Sequence, residues 1–192
     1  MPLNERGREQ AWRLGQWLAD ERLAAIYASD LSRAMETAAI AANGRSLPLR
    51  VTDTLRELSY GQLEGWTRED LEAAGYIDWM RRWNAGEDVP PPPQGEALPE
   101  AWERAQAFLN CVVLRHPGDT VLVVSHGGLL RLLVCLLQGR EYRAWGTVRT
   151  ANTGLTEALI VPGEPARLLR VNDTTHLETR VPLAPPVARA AP

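Results

Sequence analysis

The stretch Thr120-Val-Leu-Val-Val-Ser-His-Gly-Gly-Leu-Leu-Arg-Leu-Leu-Val134 decides the fold. Its apolar, β-favouring run from Val121 to Val124 predicts a buried strand, and the apolar run after the two glycines predicts a helix. The turn between them places His126 at the carboxyl end of a strand and beside a helix N-terminus, whose free N–H groups favour an anion. Open α/β sheets bind ligands at this position. Taken by itself, His126 could equally be a hydrogen-bonded histidine of an ordinary strand-to-helix turn.

Length and charge exclude several classes of protein. The 192 residues suit one domain. A net charge of −3, a pI near 5.7 and scattered arginines predict no nucleic-acid partner. No signal-peptide pattern or membrane-length apolar run is present, so we expect a soluble cytoplasmic protein without a membrane partner. Cys111 and Cys135 lie in apolar helical patterns, which predicts two buried free thiols, and no metal-ligand spacing is present.

The N-terminal part repeats the strand-turn-helix order. Asn4 can cap a first helix, and Ala24–Ala28 reads as a short buried strand. Asp30 is the predicted N-cap of a helix over Leu31–Ala42. Arg33 would then lie in the first turn of that helix, where a guanidinium can clamp an anion in a bidentate way. The alternative for Arg33 is a solvated surface arginine.

A loop between these two units carries carboxylates. After a short predicted strand at Pro48–Thr52, the segment Leu55–Trp66 contains two glycines and no regular periodicity. Glu57 or Glu64 could act as a general acid if partly desolvated. An exposed loop glutamate is the alternative for both.

The remaining segments complete an α/β pattern. Thr67 and Asp70 resemble a capping box, and residues 67–96, which include four consecutive prolines, read as a helical cap inserted before a helix over Leu98–Arg115. Gly154–Val161 and Ala166–Val171 could form a hairpin or two neighbouring strands. We expect residues 178–192, rich in proline and alanine, to be disordered.

Several segments, taken in order, resemble the histidine phosphatase superfamily, the phosphoglycerate-mutase-like fold. They are Pro2-Leu-Asn-Glu-Arg-Gly, Ala28-Ser-Asp-Leu-Ser-Arg, Leu55-Arg-Glu with Gly61-Gln-Leu-Glu-Gly, Gly95-Glu, Ser125-His-Gly-Gly, and Asn172-Asp with His176-Leu. The resemblance runs from about Pro2 to Leu177, so we expect residues 1–177 to form one domain. Ordered segments at suitable spacing are more specific than any single motif.

The resemblance implies a three-layer α/β fold, with a mostly parallel sheet flanked by helices, and phosphoryl transfer through a phosphohistidine. Arg33, His126 and Gly127 would bind the phosphoryl oxygens, and Glu57 would protonate the leaving alcohol. The pocket rim would include Ser29, Glu64 and Glu96. Phosphoryl transfer needs positioning and charge neutralisation, so arginine and histidine donors would supply the positive charge without a metal or cofactor. The implied partner is a small phosphorylated metabolite.

The sequence departs from the family pattern at its nucleophile. The family's Arg-His-Gly motif, at the end of a first central strand, does not occur in the 192 residues. Arg115-His116 precedes the predicted central strand, so it reads as a polar helix terminus rather than a displaced nucleophile. Ala97 replaces the Ser or Thr that usually follows Gly-Glu. We therefore expect an N-terminally truncated form with an interior gap between strands, or pairing with a second copy as a homodimer. The loss of such a strand would lower the stability of the domain considerably, since each of its buried aliphatic side chains contributes about 1.5–3 kcal/mol.

Two functions remain open at this stage. The first is a phosphomonoesterase of the histidine phosphatase type, favoured over a phosphoglycerate mutase because the insertion is short. The second is an inactive module that binds phosphorylated ligands. An α/β-hydrolase esterase is disfavoured, because no Gly-x-Ser-x-Gly elbow is present. His176 could order the C-terminal segment or lie on the surface.

Overall fold

Three parallel strands form the central sheet of the computed structural model, which describes residues 2–178. They are β1 (Leu23–Ser29), β2 (Leu49–Thr52) and β3 (Thr120–Val124), in the spatial order β2-β1-β3. Ile26 in the middle strand lies opposite Leu49 on one side and Leu122 on the other. Because all three strands are parallel, their carboxyl ends lie at one edge of the sheet.

Helices cover both faces of this sheet. The α-helices within the described residues are α1 (Glu5–Trp17), α2 (Ser32–Ala41), α3 (Arg68–Ala73), α4 (Ile77–Asn84), α5 (Leu98–Arg115), α6 (Gly127–Leu137) and α7 (Thr175–Glu178). Successive side chains of β1 point to opposite faces. Ala25 and Tyr27 enter a core with α5 and α6, whereas Ile26 and Ala28 enter a second core with α1 and α2. The expected three-layer α/β fold is confirmed.

Two of the three predicted N-terminal helix caps are confirmed. The Asn4 side chain accepts a hydrogen bond of 2.9 Å from the N–H of Gly7, as predicted for the start of α1. Thr67 and Asp70 form the predicted capping box of α3. The prediction for α2 is wrong, because Leu31 is its N-cap and makes no side-chain cap bond. The Asp30 carboxylate instead accepts hydrogen bonds from Arg56, which outcompetes the cap.

The segment 67–96 contains α3 and α4 and packs through aromatic rings. Trp79 stacks on Trp83 with ring centroids 5.2 Å apart, and Trp83 contacts Trp145 edge to face at 6.3 Å. Trp83 and Trp145 are both buried. Such pairs add to the free energy of burial. The aromatic residues therefore fix this segment against the loop that follows α6.

A second sheet is separate from the first. It consists of β4 (Leu155–Leu159) and β5 (Arg167–Asp173), which pair in antiparallel fashion. Within residues 2–178, the outer edge of β3 pairs with no strand, and neither does the outer edge of β4. A cavity of about 540 Å³ between them is lined by both strands and by side chains of α5 and α6. We call this space the slot. It confirms the expected interior gap between strands.

Other expectations meet mixed outcomes. Cys135 is buried, but Cys111 is exposed on α5, so the prediction of two buried thiols is half wrong. His176 is 2% exposed, which excludes the surface position. Glu178 still belongs to α7, and the expected disorder of the tail concerns residues outside those described. In the described part of the chain, no helix combines the length and apolar character that crossing a bilayer requires. No cluster of three or more His, Cys, Asp or Glu side chains there could hold a metal ion.

Candidate active site

Arg33 and His126 meet at the carboxyl edge of the central sheet. Arg33 lies in the first turn of α2, directly after β1, and His126 is the N-cap of α6, directly after β3. Since β1 and β3 are neighbouring parallel strands, these two turns are adjacent. The Nε atom of Arg33 donates a hydrogen bond of 3.1 Å to Nδ1 of His126.

This hydrogen bond decides which ring nitrogen of His126 carries the proton. A guanidinium can only donate, so Nδ1 must accept, and the proton of the neutral ring resides on Nε2. Nε2 is buried and has no hydrogen-bond partner within residues 2–178. Buried donors without partners are rare in proteins. The Nε2–H group is therefore a buried donor at this edge of the sheet that no described residue uses.

The ring of His126 is uncharged at neutral pH. Burial lowers its pKa to about 4, the positive charge of Arg33 acts in the same direction, and Asp30 opposes them. The expectation that histidine supplies positive charge is therefore wrong for His126. Arg33 carries the charge, and His126 contributes a neutral N–H donor.

The carboxyl group of Glu57 lies at the N-terminus of α6. Its oxygens accept hydrogen bonds from the N–H groups of Gly128 at 3.2 Å, Leu129 at 3.3 Å and Leu58 at 3.0 Å. A Cβ on Gly128 would lie only 2.5 Å from Oε1, so a side chain at this position would displace the Glu57 carboxyl group. Two of the helix N–H groups expected to favour a bound anion are thus taken by Glu57. The arrangement places Glu57 beside His126, the cap of the same helix.

Two contacts hold the Glu57 loop against the turns that carry Arg33 and His126. The hydroxyl of Ser125 donates a hydrogen bond of 2.8 Å to the carbonyl oxygen of Leu55. On the other side, the guanidinium of Arg56 lies 2.6 Å from the Asp30 carboxylate, and this hydrogen bond lowers the pKa of Asp30. The loop that carries Glu57 therefore links Asp30, which follows β1, to Ser125, which follows β3.

Arg104 on α5 is a site residue that the sequence reasoning missed. It binds both carboxylate oxygens of Glu96, at 2.9 and 2.7 Å, and donates to the carbonyl oxygens of Thr54 at 2.8 Å and Arg56 at 2.9 Å. Arg104 and Glu96 are each less than one-fifth exposed. Glu96, expected at the pocket rim, therefore anchors the loop that carries Glu57. An arginine inside a regular helix gives no local signal of such a role.

The other expected site residues have different surroundings. Gly127 follows His126, and a Cβ there would lie 3.3 Å from the hydroxyl oxygen of Thr150. Ser29 is fully buried beneath the site, where its hydroxyl accepts from the N–H of Leu31. Glu64 is exposed and accepts from the N–H of Tyr60 at 2.8 Å. The structure thus brings Arg33, Glu57, His126 and Gly127 together, but not Glu64.

His116 lies at the opposite edge of the sheet. It follows α5 and precedes β3, so the length of a five-residue strand, roughly 16 Å, separates it from the carboxyl edge. Its ring nitrogens bond to the hydroxyl of Tyr27 at 3.0 Å and the carboxylate of Asp119 at 3.1 Å. This position excludes His116 as a displaced nucleophile.

His176 orders the C-terminal segment. Its Nε2 lies 3.1 Å from the hydroxyl oxygen of Thr153, and its ring packs against Trp17 with centroids 6.4 Å apart. Burial lowers the pKa of His176. The side chain therefore ties α7 to α1 and to the loop before β4, which is the first of the two roles considered for it.

Comparison with known proteins agrees with this geometry. The profile of the histidine phosphatase superfamily (branch 1) matches residues 1–174. The chain is similar to phosphoserine phosphatase 1 of Hydrogenobacter thermophilus, with 32% identity over 177 residues that cover 91% of this chain and 82% of the relative. It is also similar to the adenosylcobalamin/alpha-ribazole phosphatase of Escherichia coli, with 31% identity over 74% of this chain and 70% of the relative.

Solved structures share the fold. The structure of Bacillus stearothermophilus YhfR superposes with a TM-score of 0.85 and 32% sequence identity, and the match covers 92% of this chain and 87% of that one. The parallel sheet flanked by helices is therefore the architecture of its structural neighbours.

Proposed function

The chain belongs to the histidine phosphatase superfamily, and on that premise we propose that it serves the hydrolysis of a small phosphomonoester through a phosphohistidine. The observation that carries the proposal is the contact between Arg33 and His126 beside the Glu57 carboxyl group. It provides one cation, one free N–H donor and one carboxyl group at the carboxyl edge of a parallel sheet. These are the groups that binding and cleaving a phosphate ester require.

Each group has a distinct proposed role. The Nε of Arg33 is used by His126, so its terminal guanidinium nitrogens bind the phosphoryl oxygens, and the Nε2–H of His126 donates to a further oxygen. As a nucleophilic histidine nitrogen forms a bond to phosphorus, the bond between phosphorus and the ester oxygen breaks, and Glu57 gives its proton to the leaving oxygen. Water then displaces phosphate from the phosphohistidine, and Glu57 takes up a proton from that water. The similarity to phosphoserine phosphatase 1 and to the adenosylcobalamin/alpha-ribazole phosphatase supports this reaction class.

The nucleophilic histidine is the part that residues 2–178 do not provide. His116 lies at the wrong edge, His176 is buried against α1, and the Nδ1 of His126 already accepts from Arg33. The slot beside β3 has a volume of about 540 Å³, and its two unpaired strand edges can form hydrogen bonds with an extended segment. We propose that the nucleophile lies on a strand seated in the slot, where a histidine at its carboxyl end would adjoin His126.

A second candidate is a protein that binds phosphorylated ligands without turnover. One observation favours it: no Arg-His-Gly occurs in the 192 residues, while the proposed phosphate-binding residues Arg33 and His126 are present. The two candidates differ in chemistry but not in affinity for phosphate.

The experiment compares the 192-residue chain with a fusion that carries an apolar strand ending in Arg-His-Gly before Pro2. The fusion point is suitable, because the N–H of Leu3 donates to Glu36 in α2, at the edge where Arg33 lies. The matched control fusion ends in Arg-Gln-Gly. The readouts are hydrolysis of p-nitrophenyl phosphate and phosphohistidine trapped by quenching in base.

Turnover by the Arg-His-Gly fusion alone supports the phosphatase. Phosphate binding without turnover by either fusion supports the binding protein. Turnover by the unmodified chain that survives both His116→Ala and His126→Ala contradicts both candidates.

A further inference from the structure

The turn after α2 carries an asparagine followed by a glycine, Asn43 and Gly44, which is the one Asn-Gly pair in the 192 residues. Both residues are exposed, and their φ angles of 49° and 75° lie in the left-handed region. Glycine adopts this region freely, and asparagine does so more readily than most residues. Apart from its chain neighbours, a Cβ on Gly44 would meet no described atom within 4 Å. The Asn43 side chain therefore precedes a glycine with open space around it.

A hydrogen bond from α1 polarises the side-chain amide of Asn43. The Nε2 group of Gln16 donates a hydrogen bond of 3.1 Å to Oδ1 of Asn43. A donor at this oxygen stabilises the negative charge that develops there when a nucleophile attacks the amide carbon. The side chain is thus activated toward attack, at an exposed position.

The guanidinium of Arg45 lies against the same turn. Its Nη2 donates to the carbonyl oxygen of Leu18, and its Nη1 lies 3.5 Å from the carbonyl oxygen of Ala42, the residue directly before Asn43. Within residues 2–178, Arg45 forms no ion pair with a carboxylate. A nearby cation favours the loss of a proton from a peptide N–H group, and it also favours a carboxylate over a neutral side chain. The charge of Arg45 therefore assists the formation of an anion in this turn.

We propose that Asn43 is a site of covalent modification, at which its side-chain amide is converted to a carboxylate through a cyclic imide. The Gly44 nitrogen forms a bond to Cγ of Asn43, and the bond between Cγ and Nδ2 breaks. The proton of the Gly44 N–H group passes through water to the leaving nitrogen, which departs as ammonia. Water then opens the imide at either carbonyl carbon. One opening gives aspartate at position 43, and the other gives isoaspartate, in which the chain continues through the side-chain carbonyl group.

Both products change the carboxyl end of α2. They place a carboxylate beside the last carbonyl groups of the helix, where the helix dipole disfavours an anion, and Arg45 is the cation that offsets it. The isoaspartate link also adds a methylene group to the backbone between α2 and β2. Arg33 lies in the first turn of α2, at the opposite end of the helix, so this inference is independent of the proposed function.

The test is to store the 192-residue chain in mildly alkaline buffer and to map its peptides by mass spectrometry at intervals. We expect the Asn43 peptide to gain the mass difference between an amide and an acid first. The internal controls are Asn84 and Asn152, two exposed asparagines that are not followed by glycine. Methylation by an isoaspartyl methyltransferase distinguishes the isoaspartate product from aspartate.

A pair of glycine variants tests the attacking atom. Gly44→Ala adds a methyl group that crowds the approach of the backbone nitrogen to Asn43, so the conversion should slow roughly tenfold or more. Gly139→Ala is the matched control, because Gly139 also has a left-handed φ, of 64°, and open space around its Cβ position. The two substitutions impose the same kind of backbone strain, and Gly139→Ala should leave the rate at Asn43 unchanged.

Three results would overturn the proposal. The first is conversion of Asn84 or Asn152 before Asn43 in the unmodified chain, a comparison that needs no variant to fold. The second is an equal rate at Asn43 in Gly44→Ala and Gly139→Ala, with circular dichroism showing that both are folded. The third is a folded chain that keeps Asn43 intact over a storage time in which the chain unfolded in urea converts it.

Discussion

The two edges of β3 have opposite surroundings. On one edge β3 pairs with β1, and the turns that follow both strands are joined by the hydrogen bond between Arg33 and His126. On the other edge β3 faces the slot and pairs with no described strand. The proposed phosphate-binding groups therefore depend only on contacts within the described residues, whereas the slot side of β3 has no paired strand there. We propose on this basis that binding of phosphate and phosphoryl transfer can be separated in this fold.

The largest expected effect is on the free energy of unfolding and follows from the loss of the Arg104 side chain. Arg104→Ala removes four hydrogen bonds and leaves the carboxylate of Glu96 without its partner in a poorly exposed position. We expect the free energy of unfolding to fall by about 3–5 kcal/mol, the range for breaking a buried pair. Urea denaturation measures it. Arg81→Ala breaks an exposed pair with Asp78 and should change stability by less than about 1 kcal/mol. Equal losses in the two variants would show that the Arg104 contacts do not stabilise the loop.

The next effect concerns the uncharged ring of His126. Its folded pKa of about 4 lies below the ordinary value of 6.5, so between these pH values the unfolded chain binds a proton that the folded chain does not. Stability contributed by this histidine is therefore complete above pH 6.5 and is lost as the pH falls toward 4. The loss should be on the order of 3 kcal/mol.

The measurement compares denaturation of the unmodified chain and of His126→Gln at several pH values. The difference in unfolding free energy between the two should shrink on acidification through this window. A difference that stays constant would place the folded pKa of His126 at its ordinary value.

The affinity for inorganic phosphate tests the contact between Arg33 and His126, and the expected change in free energy is smaller. Arg33→Gln removes the cation at the site and the donor to His126 Nδ1. Hydrogen bonds to charged groups contribute about 1.5–3 kcal/mol, which corresponds to roughly a 10- to 100-fold rise in the dissociation constant for inorganic phosphate. Calorimetry measures it, with Arg68→Gln on α3 as the control. Unchanged affinity in Arg33→Gln would place the anion site elsewhere.

The smallest effect is expected at the slot. Leu159 at the end of β4 lines the slot and is 49% exposed. Leu159→Ala should change the free energy of unfolding by about 0.5 kcal/mol or less. Ile26→Ala, at a position of β1 that is 1% exposed, should cost about 2–5 kcal/mol. Similar losses at the two positions would mean that the slot is packed in solution.

The sequence predicted the elements and their convergence better than their contacts. The periodicity around Val121–Val124, together with the glycines after His126, was enough to place that histidine at a strand end, and the family resemblance placed Arg33 at the same site. The turn chemistry was less decisive at Asp30, where a bidentate pair with Arg56, distant in the chain, prevails over a local cap. Such a competition depends on the tertiary fold and leaves no mark in the local pattern.

The charge state of His126 and the role of Arg104 also lay beyond the sequence. A pKa depends on burial and on charges brought near by folding, and both are properties of the assembled site. The part played by Arg104 depends on two carbonyl oxygens from a loop roughly fifty residues away in the chain. By contrast, the slot followed from the family resemblance, because the first central strand that the family carries is missing from the pattern and its absence leaves both neighbouring strands unpaired.

The unpaired edge of β3 has a consequence for the exchange of amide hydrogens with deuterated solvent. Successive amides of a strand point to opposite neighbours, so those directed at β1 are bonded while the alternate ones face the slot. Protection from exchange should therefore alternate with a period of two along β3. A segment that docks in the slot would slow the exchange of only those amides that face the slot. The loss of that alternation would show directly, for single peptide groups, that a segment occupies the slot.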